Sequence, residues 1–198
     1  MPFTADDVRR VLGEGAAPPL DNTVKHASIA ALLLPNRDLL FIRRAEHPGD
    51  PWSGHVAFPG GRLEAHDDGP RGAAIRETAE EIGLDLTTAN YLGALPPLRP
   101  ISGMSLLVHP FAWALDVEPD LHLNAEVQSV HRTSIDALVE GHERGEMPFS
   151  WAGQELVLPR VDFDGVRLWG MTLRVVDELL HRLDGRGLGL ERPRGKRG

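Results

Sequence analysis

The chain has 198 residues, enough for one substantial core, and a single domain is expected. A net charge of -8 argues against nucleic acid or an anionic membrane as the main partner, because polyanion binding draws on Lys and Arg. There is no cysteine, which excludes a disulfide framework, a thiolate metal site and a cysteine nucleophile.

Residues 1–15 mix charges of both signs and lack the apolar stretch of a secretory signal; within them, residues 5–13 read as a short amphipathic helix. A Pro/Gly connector follows. Two apolar runs, 27–34 and 39–42, flank the turn residues PNRD and read as a hairpin. The first of them, ASIAALLL, is the longest apolar run and is far too short to span a bilayer, so a cytoplasmic enzyme or binding protein is expected. PGDPWSG at 48–54 reads as a loop, and HVAF at 55–58 as a short strand. Residues 70–82 read as a helix, with Asp68 or Gly69 as its cap, Pro70 in the first turn and Gly83 at a left-handed end.

Residues 91–95 and 105–115 read as strands, the second long enough to be central. TSIDALVEGHERGE, 133–146, starts with cap residues and reads as a short helix. Asp164 and Gly165 stand between alternating residues and signal a hairpin. Met171, Val175, Leu179 and Leu183 form one stripe of a core-packing helix. The Gly/Arg-rich tail, 184–198, is expected to be disordered. Strands and helices are interleaved irregularly, which favours an α/β fold with a mixed sheet flanked by helices over a strictly parallel, doubly wound one.

The densest chemistry lies at residues 54–84. On a helix, Glu77, Glu80 and Glu81 stand at i, i+3 and i+4 and share one face. Alone they would read as a solvated acidic face with Arg76 balancing Glu80. The preceding Pro59-Gly60-Gly61 turn changes that reading, because glycine lets backbone groups approach where side chains would obstruct. Hard divalent cations take a few carboxylates together with substrate phosphate oxygens. A carboxylate face beside an exposed backbone oxygen is a cation site for a phosphorylated substrate.

Gly60, Gly61, Arg76, Glu77, Glu80, Glu81, Gly83 and Leu84 stand at the offsets of the Nudix box, with Thr78 at its usual hydrophobic position. The segment resembles this signature of hydrolases that cleave nucleoside diphosphates linked to another moiety. The box would occupy 60–84 of a single domain, 1–183. Its loop is one residue longer than the common form. The pattern G-x3-F-P-G-G-x5-D, at Gly54, Phe58, Pro59, Gly60, Gly61 and Asp67, resembles the coenzyme A diphosphatase branch. LWGMTLRVVDELL at 168–180 resembles the C-terminal helix of that branch. An upstream pattern, L-L-T-x-R-S, is matched by Leu39, Leu40 and Arg43, while Phe41 and Arg44 replace its small hydroxyl residues.

The resemblance implies a Nudix-like α/β/α sandwich with Mg2+ or Mn2+ as cofactor and water attacking a phosphorus of the diphosphate. The substrate implied is coenzyme A or its thioesters, giving 4'-phosphopantetheine and adenosine 3',5'-bisphosphate. Glu77, Glu80, Glu81 and the Gly60 carbonyl are then the expected metal ligands. Arg76 is expected to orient a box glutamate, and Glu81 or Glu126 to act as general base. Glu64, Asp67 and Asp68 are further ligand candidates that a capped turn explains equally. Arg43 and Arg44 alternate on a strand, so one should face the site and hold a phosphate; His55 is a further candidate phosphate contact. Trp52 and Trp151 are candidates for stacking on a base, while Trp113 reads as core. The partner implied is a small nucleotide diphosphate, with assembly as a homodimer left open. Two other readings remain: a different nucleoside diphosphate derivative or triphosphate, and a non-catalytic nucleotide-binding Nudix module, against which the complete set of box glutamates argues.

Overall fold

Alternation within residues 25–44 builds the centre of the molecule. In the computed structural model, which describes residues 3–12, 20–21, 23–49, 52–100, 105–140, 143–151, 153–185, 187–188 and 194–195, this segment forms two strands. They are β1 (Lys25–Leu33) and β2 (Asp38–Arg44), joined by a turn in which Arg37 has a φ of 71°. Ala30, Leu32, Leu34, Leu40 and Ile42 point to one side, and Ala31, Leu33, Leu39 and Phe41 to the other. Both sides are apolar, so helices must cover both.

Before them, α1 (Ala5–Leu12) is capped by a reciprocal pair: Thr4 Oγ1 accepts the Asp7 N–H, and Asp7 Oδ2 accepts the Thr4 N–H. After them come β3 (Val56–Ala57), β4 (Gly60–Arg62), α2 (Gly69–Ile82), β5 (Asn90–Ala94), β6 (Leu106–Ala114) and β7 (Val127–Ser134). The main sheet runs β3-β2-β1-β6-β5, with β4 paired to β1 and β7 to β2. Among the described strands only β1 and β6 run parallel, so the sheet is mixed, as the irregular interleaving implied.

α2 covers one side, packing Ala74 and Ile82 on Ala30, Leu32, Ile42 and Phe111. The other side holds α1, α4 (Gly170–Asp184) and a second, antiparallel sheet. That sheet comprises β8 (Glu143–Trp151), β9 (Gln154–Phe163), β10 (Val166–Trp169) and β11 (Arg194–Gly195). The α/β/α layering is thus the one expected. Among the described residues no helix is long and apolar enough to cross a membrane.

Three segments depart from the sequence reading. The expected helix over 133–146 is split: α3 (Ile135–Glu140) keeps the Ser134 cap, whose Oγ accepts the Ala137 N–H, but the chain from Glu143 pairs with β9 along the whole of β8. A nine-residue ladder outweighs a weak local preference. β7 was not foreseen because it is an edge strand with a polar sequence, VQSVHRTS. The tail expected to be disordered from 184 begins instead with Asp184 as the last residue of α4. Leu188 is buried in the core, its N–H donating to Asp177 Oδ1 at 2.6 Å, and Arg194–Gly195 pair with β9.

Phe41 is fully buried and lies with its ring 4.7 Å from that of Phe58 and 5.5 Å from that of Phe163, joining the main sheet to the second one. Phe41→Ala is expected to cost about 3–5 kcal/mol in urea unfolding. A loss below about 1 kcal/mol would contradict this joint.

Candidate active site

β4 is a strand made possible by two glycines. Gly60 has a φ of 148°, and a Cβ there would stand 2.1 Å from the Ser28 carbonyl oxygen of β1. A Cβ on Gly61 would stand 2.3 Å from the carboxyl carbon of Glu77. The turn is therefore pressed between β1 and α2: only glycine fits at Gly60, where backbone cannot yield, and a side chain at Gly61 would displace the Glu77 carboxylate. The Gly60 N–H donates to Glu81 Oε2 at 2.8 Å.

α2 delivers Arg76 and the three glutamates. Its start has Asp68 at the N-cap position without a side-chain capping bond, and its end is the left-handed Gly83 that the sequence implied. Thr78, at the usual hydrophobic position, is fully buried with its hydroxyl donating to the Ala74 carbonyl at 2.7 Å, so no polar group is stranded there.

Arg76 is the hub. Its Nε and Nη2 grip Asp67 at 2.8 and 3.0 Å, Nη2 also reaches the Arg62 carbonyl at 3.0 Å, and Nη1 lies 3.0 Å from Glu77 and 3.1 Å from Glu80. The Asp67 side chain is 2% exposed, and the Arg76 guanidinium holds its carboxyl below the usual carboxylate range. Sequence reasoning placed Asp67 among the ligand candidates; the structure makes it the anchor of Arg76. Glu64 stays at the surface, 3.4 Å from His66.

The glutamates differ in environment. Glu80 is 55% exposed, whereas Glu81 is 2% exposed. Burial pushes Glu81 up to about 7, the Gly60 N–H and Arg44 oppose the rise, and Glu77 and Glu126 add to it. Burial also raises Glu77, against Arg76 and with help from Glu80 and Glu126. Arg44 Nη1 lies 4.0 Å from Glu81 Oε1. Glu126 reaches the group because its carbonyl accepts the Ala45 N–H at 2.7 Å, holding the start of β7 beside the end of β2.

Among the described residues no three acidic or histidine side chains are already arranged to hold one ion. Nη1 of Arg76 stands between Glu77 and Glu80, and the Glu80 contact is an exposed i,i+4 pair of the weak kind. The donor set nevertheless fits a hard divalent cation. It is all oxygen, it includes a buried carboxylate short of positive charge, and it lies against a backbone cradle that a Cβ would fill.

The structure separates the two arginines. Arg44 shares the side of Leu40 and Ile42 and meets Glu81, whereas Arg43 shares the side of Phe41 and turns to the Gly54 carbonyl, 3.4 Å away, and to Glu46. The His55 ring meets Trp169 edge-on, with ring centroids 4.6 Å apart. Trp113 is core, as read, packed with Tyr91 and Phe111. Trp52 is exposed, and the Trp151 side chain lies outside the described residues.

Folded Glu81 holds its proton more tightly than the unfolded chain does, so without metal its contribution is lost as pH rises from about 4.5 to about 7. Glu81→Gln removes this titration. In EDTA, the stability difference between variant and wild type is expected to move by about 3 kcal/mol in favour of the variant between pH 4.5 and pH 8, measured by urea unfolding. A difference that does not change with pH would contradict the charge-starved environment.

The NUDIX domain family model matches residues 24–150. The chain is 28% identical over 170 residues to the uncharacterized Nudix hydrolase NudL of Enterobacter sp. (strain 638), covering 82% of this chain and 86% of that protein. It is 29% identical over 134 residues to Nudix hydrolase 22, chloroplastic, of Arabidopsis thaliana, covering 63% of this chain and 43% of that one. In fold it is similar to a MutT/nudix family protein from Enterococcus faecalis, with a TM-score of 0.51, 18% identity, and 81% and 56% of the two chains covered. The family match spans well over half the chain, across the glycine turn, Arg76 and all the glutamates described above: the chain belongs to the Nudix family and is a Nudix hydrolase.

Proposed function

We propose that this protein is a divalent-metal-dependent diphosphatase that cleaves coenzyme A or its thioesters into 4'-phosphopantetheine and adenosine 3',5'-bisphosphate. The observation that supports the reading is the Arg76–Asp67 pair, which ties the longer, coenzyme A-type box loop to the helix that carries the glutamates. A second contact supports it. The hydroxyl of Thr172, in the LWGMT segment, donates to the Val56 carbonyl of the G-x3-F-P-G-G lead-in at 3.2 Å, so two motifs of that branch pack on each other. Of the two departures from the upstream pattern, Phe41 lies in the core, and only Arg44 touches the site.

Glu77, Glu80, Glu81 and the Gly60 carbonyl would hold Mg2+ or Mn2+. When bound, the cation neutralises phosphate oxygens and makes water more acidic. Arg76 keeps the carboxylates aligned through Asp67, and the Gly60 N–H fixes Glu81 by one oxygen. Arg44 takes a phosphate oxygen of the substrate as a charge-assisted donor. Glu126, exposed and close enough to act on Glu77 and Glu81, receives the proton of the attacking water on its carboxylate. Glu81 is the second reading for that base, favoured by its burial and its fixed orientation on the Gly60 N–H.

Product analysis on coenzyme A, dephospho-coenzyme A, nucleotide sugars, dinucleotides and triphosphates tests the substrate. Coenzyme A is expected to turn over faster than its dephospho form, and Arg44→Ala is expected to lower that preference roughly tenfold. Equal rates on the two would remove the 3'-phosphate contact, and brisk cleavage of another diphosphate alone would transfer the assignment to that substrate. Glu80→Gln is expected to lower turnover by on the order of 100-fold at saturating metal, while circular dichroism stays unchanged.

A further inference from the structure

A second set of chemically matched side chains lies on the opposite face of the main sheet. β7 pairs with β2 in the register Phe41↔His131 and Arg43↔Ser129. Directly opposed side chains in an antiparallel pair share a face, so Ser129 and His131 lie on the side of Phe41, away from α2 and its glutamates. Ser129 Oγ is 2.9 Å from His131 Nε2, and His131 Nδ1 is 2.9 Å from Asp164 Oδ2. Asp164 enters this chain of bonds from the turn between β9 and β10, where its φ of 49° lifts the carboxylate out of the ladder.

The order of partners fixes the direction of the bonds. An ionised carboxylate only accepts, so His131 donates from Nδ1, and its bare Nε2 then accepts the Ser129 hydroxyl. This is the arrangement of a nucleophile, a base and a group that orients the base. Arg43, the cross-strand neighbour of Ser129, shares the face, with its guanidinium turned to the Gly54 carbonyl and Glu46. A cavity of about 480 Å³ lined by Val130, Arg132, Thr133, Phe163 and Asp164 opens beside the Asp164 end of the relay. Ser129 is half-buried and Asp164 is exposed, so the relay is open to small molecules.

We propose that Ser129 and His131 are the catalytic residues of a second, metal-independent site that hydrolyses small acyl esters, with Asp164 positioning His131. Ser129 Oγ attacks the ester carbonyl carbon while its proton passes to His131 Nε2. The bond from that carbon to the alkoxy oxygen breaks, and the His131 proton leaves with the alkoxide as an alcohol. Water then adds to the acyl carbon and gives its proton to His131, the bond to Oγ breaks, the carboxylic acid leaves, and the proton returns to Ser129. The proposal does not depend on the identity of the diphosphate substrate.

The full-length protein is incubated in EDTA with p-nitrophenyl acetate and, separately, with a fluorophosphonate probe whose attachment is mapped by peptide mass spectrometry. Saturable ester turnover is expected, reduced at least about 100-fold in Ser129→Ala and His131→Gln, with the probe on Ser129. Melting temperatures of the variants are recorded alongside, because a relay that only ties the β9–β10 turn to β7 would change stability and leave the ester rate where it was. Turnover that survives in folded Ser129→Ala would overturn the proposal. So would wild-type protein that neither cleaves the ester nor takes the probe on Ser129, an outcome that does not require any variant to fold.

Discussion

The Arg76 guanidinium decides where the acidic side chains of the active site can stand. Three glutamates on one helix face repel each other, and drawing any of them under the glycine turn adds a desolvation cost. Arg76 offsets both for Glu77 and eases the repulsion at the exposed Glu80, with Asp67 and the Arg62 carbonyl holding its other nitrogens. A lysine in its place would offer a point charge without the planar fork that grips Asp67 by two bonds. Glu81 is left outside this balance, with one backbone N–H and a more distant Arg44. The deficit of positive charge around it is what a divalent cation would supply.

The sheet serves this arrangement by sorting side chains between its faces. Because successive residues of β2 alternate, neighbouring arginines receive different tasks, one beside Glu81 and one beside Gly54 and Glu46. The same alternation buries Phe41 against Phe58 and Phe163, and aims Ser129 and His131 at Asp164. Replacement of a small hydroxyl residue by Phe41 is therefore a packing change, whereas Arg44 alters the charge of the site itself. The two departures from one short pattern have unrelated consequences.

Much of this was legible in the sequence where local signals and tertiary demands agree. The β1–β2 hairpin, the span of α2 with its left-handed end, the Asp164-Gly165 turn and the α4 stripe each follow from periodicity and turn chemistry. β7 was not legible because its pairing with β2 is non-local and a polar edge strand carries no period-2 signal of its own; β8, which closes a local hairpin with β9, was hidden because the residues before it read as the continuation of a capped helix. Leu188 gave no warning of its burial, since isolated leucines in a Gly/Arg-rich tail form no apolar period that reveals the Asp177 contact. Asp67 was visible as a residue but not as a partner, because the loop geometry that returns it to Arg76 depends on β4 pairing with β1. Of the site, the helix face was readable and the clamp beneath it was not.

The central claim is that the Asp67–Arg76 clamp, and not the glutamates alone, creates the cation site. Mn2+ affinity of the full-length protein, measured by electron paramagnetic resonance for wild type, Asp67→Asn, Arg76→Lys and the double variant, tests it without reference to any substrate. Each single change is predicted to weaken Mn2+ binding by about 10- to 100-fold, and the double change by no more than either alone, because both break one unit. Unaltered affinity in folded Asp67→Asn, or losses that simply add, would contradict the account.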